Sequence, residues 1–142
     1  MEELLVCALL LSVGFDIENK LAETIDKLFE NSPSNELYLE LEWKSDAKER
    51  MEYIFSNIGF NDINEEKFGN ILMKNLNEFF ENTDIHIWAD RITDIWHRLP
   101  TDIAHKEPFF KMIYADDPLS WGDEEQTIWL YREMLDHYRN IE

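Results

Sequence analysis

The sequence predicts a mainly α fold: one domain over residues 1–142, a bundle of about six or seven helices with at most one small β element. Three observations lead there. Apolar residues recur at spacings of three and four along most of the chain, as on helices that bury one stripe. Capping residues and helix stops punctuate that pattern. The length of 142 residues, with 44% hydrophobic and 13% aromatic side chains, supplies enough apolar area for one sizeable core.

The first helix lies in "LLVCALLLSV" and ends at Gly14. Glu2 and Glu3 stand where a secretion signal carries positive charge, no small-residue cleavage pattern follows, and the run is too short to span a bilayer. The expectation is a buried helix in a cytoplasmic protein, with Cys7 packed as a small hydrophobe. As the single cysteine, Cys7 excludes an internal disulfide framework. Asp16 is placed to cap a second helix, in which Ile17, Leu21, Ile25, Leu28 and Phe29 recur at helical spacing until "NSPSN" breaks it.

Residues 35–59 read two ways. Leu37, Leu39, Leu41 and Trp43 alternate as in a strand, so a β element is admissible at 37–43. On a helical wheel of about 100° per residue, Leu37, Leu41, Trp43, Ala47, Met51, Ile54, Phe55 and Ile58 share one broad face. Helix is the favoured reading, broken near Ser45 and restarted by a capping box of Asp46 with Glu49, with Gly59 as its stop. Asp62 and Glu65 repeat the box before a helix striped by Phe68, Leu72, Leu76 and Phe79 and ending near Asn82. "DIHIWADRITDIWHRLP" follows as an amphipathic helix stopped at Pro100. Next comes a proline-rich loop holding a short helix from Pro108, or a short strand at 110–114. Asp123 and Gln126 then cap a last helix that buries Leu130, Tyr131, Met134, Leu135, Tyr138 and Ile141, with Glu124 and Glu125 suiting its N-terminal dipole.

Charge narrows the partners. With 31 acidic against 13 basic residues, the net charge of −18 repels phosphate backbones and anionic lipid and attracts a basic protein. Neither nucleic acid nor a membrane surface is an expected partner. Four scattered glycines form no phosphate-cradling loop, dinucleotide fingerprint or nucleophile elbow, and no cofactor is expected.

Two constellations carry possible chemistry. His86 and Asp90 lie one turn apart on the polar face of the 84–100 helix and can share a divalent metal if another helix adds a ligand; His97 is too distant along the same helix. Glu49 with Glu52, and Glu78 with Glu81, form two E-x-x-E pairs, each presenting two carboxylates on one helix face. In these residues the chain resembles the all-helical MazG-type nucleotide pyrophosphohydrolases, whose pattern is E-x-x-E followed one helix later by E-x-x-D. That resemblance implies magnesium held by Glu49, Glu52, Glu78 and Glu81 beside a nucleotide pyrophosphate. The chain departs from the pattern in having Glu81 in place of Asp and no basic cluster after it.

"DDPLSWGDEE" gathers acids around a turn, but Leu119 and Trp121 occupy positions where a calcium loop needs ligands. Trp129 falls off the apolar face of the last helix and is expected to be exposed. The leading expectation is a non-enzymatic, acidic protein-binding module, similar in size, charge and lack of catalytic motif to bacterial immunity proteins that inhibit basic toxins or nucleases. Asp116, Asp117, Asp123, Glu124 and Glu125, with Trp121 and Trp129 as anchors, are its expected contact residues. The alternatives are the magnesium-dependent hydrolase and a structural or adaptor domain.

Overall fold

The computed structural model describes residues 1–139, and all regular structure among them is helical. Two compact units emerge, one of Met1–Phe68 and one from Gly69 onward.

In the first unit, α1 (Glu2–Ser12) is buried along nearly its whole length, from Leu4 through Leu10, because it is apolar on every side. It packs against α2 (Glu18–Asn31) and α4 (Ala47–Asn57), and α2 also packs against α3 (Glu36–Trp43). Gly14 follows α1 with a φ of 102°, a left-handed conformation that glycine adopts without a steric penalty. Glu2, at the start of α1, accepts from the Asn64 backbone N–H at 3.1 Å and faces the Lys67 ammonium at 3.3 Å. Burial pushes its carboxyl up, but those two donors outweigh it and hold the group below the usual glutamate range.

Residues 37–43 are helical, which corrects the admissible strand. The Asn35 side chain accepts from the Leu37 and Tyr38 N–H groups and starts the helix, and Leu41 is its buried contact. Trp43, expected on the same face as Leu41 in either reading, is instead 76% exposed. The break near Ser45 is present. Arg50 fastens it by donating from Nε to the carbonyls of Leu41, which also accepts from the Lys44 N–H, and of Lys44, just past the end of α3.

Several caps differ from their sequence assignments. Ile17, not Asp16, occupies the N-cap of α2, and Asp46 sits at the N-cap of α4 without a side-chain bond. Asp62 turns back to accept from the Gly59 N–H at 2.8 Å, closing the 3-10 turn Phe60–Asp62. Asn64 takes over the capping of α5 (Glu65–Phe80), accepting from the Lys67 N–H at 2.8 Å.

The second unit holds most of α5, then α6 (Ile85–His97) and α10 (Glu124–Leu135), with three single turns between the last two: α7 (Thr101–Ala104), α8 (Lys111–Tyr114) and α9 (Asp117–Ser120). These turns carry the chain past the expected six or seven helices. Pro100 sets the start of α7 and Pro118 lies in the first turn of α9, so proline divides this stretch into short pieces. Residues 111–114 are helical, which corrects the alternative strand at 110–114, and the short helix starts at Lys111, not Pro108. The spacing there is that of a helical turn: the Phe110 and Tyr114 rings, four residues apart, meet at 5.5 Å.

Phe80, Trp88 and Tyr131 form the aromatic centre of this unit, with ring centroids 4.9 to 6.1 Å apart. Asp84 caps α6 through the N–H groups of His86 and Ile87, and Asp123 caps α10 through that of Gln126. Leu130 and Tyr138 are half-buried, and Ile141 lies outside the described residues. No helix among the described residues is long and apolar enough to cross a membrane.

Candidate functional site

The segment 116–129 of the second unit carries the acids Asp116, Asp117, Asp123, Glu124 and Glu125 and two exposed tryptophans. Pro118, buried in α9, accepts backbone hydrogen bonds from Trp121 and Asp123, so the chain turns tightly from α9 into α10. Trp121 is left 69% exposed at that turn and Trp129 55% exposed on α10. Asp123, Glu125, Gln126 and Trp129 border a shallow, open groove of about 450 Å³. Glu124 and Glu125 occupy the first turn of α10, where the helix dipole favours negative charge. None of Asp116, Asp117, Asp123, Glu124 and Glu125 is held in an ion pair among the described residues.

A second concavity, of about 290 Å³, lies between α6 and α9. His86, Ala89 and Asp90 line it from α6, and Asp116, Leu119 and Ser120 from the opposite wall. The structure therefore joins the paired His86 and Asp90 to Asp116, a carboxylate distant in sequence. Burial pushes the Asp116 carboxyl above its ordinary range, and the neighbouring charges of Asp117 and Asp90 add to the effect. Tyr131 on α10 is fully buried, and its hydroxyl has no hydrogen-bond partner among the described residues. Burial raises its pKa, and Asp116 and Asp90 are the two charges that raise it further.

No group of three or more His, Cys, Asp or Glu side chains among the described residues is placed to hold a metal ion. The E-x-x-E pairs fall one in each unit. Glu49 and Glu52 are exposed on α4, Glu78 is in the last turn of α5, and Glu81, just past that helix, faces Arg132 at 3.3 Å. Cys7 is buried in α1, where desolvation raises its thiol to about 11, so it is a protonated packing group at neutral pH. His105 bonds to the Thr101 carbonyl through Nδ1 and packs edge-on against Trp96 and Phe110.

Sequence reasoning found Asp90 and Asp116 separately but missed Ala89, Leu119 and Ser120 as walls of one concavity. No local signal marks them, since small and apolar residues in helical turns read as packing. No family model matches the chain, and comparison with curated proteins and with solved structures found no match.

Proposed function

We propose that this protein is a non-enzymatic binding module for a basic protein, an inhibitor of the immunity or antitoxin type. It presents carboxylates where its partner expects phosphates. One observation carries the reading: Trp121 and Trp129, large and exposed, lie in the segment that carries Asp116, Asp117, Asp123, Glu124 and Glu125, none of which is held in an ion pair among the described residues. Exposed aromatics supply buried area on binding, and the surrounding acids steer a cationic surface into register. The net charge of −18 extends that attraction beyond the contact itself.

The test is capture of a partner from the source cell with the purified protein as bait, in low and in high salt. One basic protein recovered at low salt and released at high salt, and not recovered by a variant carrying Asp123→Lys, Glu124→Lys and Glu125→Lys, is the expected result. A specific partner whose capture is indifferent to salt and to charge reversal overturns the reading.

A further inference from the structure

We infer that the concavity lined by His86, Ala89, Asp90, Asp116, Leu119 and Ser120 seats one arginine side chain of a protein partner. The inference rests on the basic-partner reading and names a specific contact within it.

Size sets the first limit. At about 290 Å³ the space lies at the bottom of the range of about 300–1,000 Å³ usual for small-molecule sites, which suits a single side chain better than a metabolite. Charge sets the second. Asp90 and Asp116 stand on opposite walls, neither is engaged by a lysine or arginine among the described residues, and burial of Asp116 increases the gain from a cation beside it. Shape chooses among cations. The carboxylates and His86 do not converge as metal ligands do, whereas a planar guanidinium carries donors on several edges and can bridge two carboxylates that a compact ammonium reaches only one at a time.

The remaining lining fits the same side chain. Ala89 and Leu119 offer apolar contact to an arginine's methylene stem, and the His86 ring offers a face on which a guanidinium stacks. Tyr131, fully buried and with no hydrogen-bond partner for its hydroxyl among the described residues, lies near enough to Asp116 and Asp90 to feel both charges, which a bound guanidinium would neutralise.

The experiment titrates the full-length, isotope-labelled protein with Nα-acetyl-arginine methylamide and, separately, with its neutral citrulline counterpart, following backbone amide resonances. The expected result is saturable shifts at residues 86–90 and 116–120 with arginine alone, at a Kd of about millimolar as befits one side chain. Asp90→Asn and Asp116→Asn should each weaken binding roughly tenfold, the effect of one charge-assisted contact. Equal shifts with citrulline, shifts centred on Gln126 and Trp129, or unchanged binding in the Asp90→Asn/Asp116→Asn double variant each overturn the inference. Zinc or magnesium ions that bind the same residues and displace arginine overturn it as well. Partner capture by the double variant separates the two readings: undiminished capture overturns the arginine seat and leaves the basic-partner reading intact.

Discussion

Gly69, inside α5, lies directly beneath the phenol of Tyr138: a Cβ added there would collide with the Tyr138 hydroxyl oxygen and come within 3.0 Å of the Phe109 ring. A glycine within a helix costs about 1 kcal/mol relative to alanine, so by local propensity alone Gly69→Ala should stabilise the protein. The contact reverses that sign. Overpacking costs typically about 1–3 kcal/mol, and thermal or urea unfolding of Gly69→Ala should show a net loss. Adding Tyr138→Phe should recover part of it, because the closest atom is removed; the same loss in both backgrounds would refute the steric explanation.

Glu42 on α3 is half-buried and has the like charge of Asp26 on α2 beside it. Burial raises the Glu42 pKa, and Asp26 raises it further against the opposing charge of Arg50. The folded state therefore holds the Glu42 proton more tightly than the unfolded chain does. The resulting destabilisation is complete above the raised pKa and fades as pH falls through it toward the ordinary glutamate value. Glu42→Gln, which removes the half-buried charge beside Asp26 at every pH, should be more stable than the wild type at neutral pH, with the difference shrinking by pH 4. Urea midpoints at the two pH values check this; a constant difference would count against the raised Glu42 pKa.

Asp84 accepts from the N–H groups of His86 and Ile87 at 3.0 and 3.2 Å and starts α6. Asp84→Ala should cost about 0.5–2 kcal/mol and Asp84→Ser much less, because serine can cap in the same way. Equal losses from the two variants would assign the effect to the charge of Asp84 rather than to its capping bonds.

The tryptophans should separate by role. Trp88→Ala, which empties the fully buried space beside Phe80 and Tyr131, should cost about 3–5 kcal/mol. Trp121→Ala and Trp129→Ala should stay within about 0.5 kcal/mol of wild type in unfolding experiments while weakening partner capture. A large loss of stability from either of the latter would make it a packing residue and not an anchor.

By itself the sequence determined what short-range physics governs. The unbroken apolar run of α1 requires burial on all sides, the cap at Asp123 acts within three residues, and the off-face position of Trp129 leaves it exposed. Where two local solutions lie close in energy, only tertiary contacts chose between them. Residues 37–43 satisfy strand alternation and helical spacing alike, and packing of Leu41 within the α2–α3–α4 cluster settles them as helix. Asp62 and Asn64 compete to cap α5, and the Gly59 N–H draws Asp62 away. Gly69 is explained only by Tyr138, and His86 and Asp90 gain Asp116 only because the single turns after Pro100 fold α9 toward α6. Caps and periodicity act over one or two helical turns, whereas a concavity belongs to residues whose separation along the chain carries no local signal.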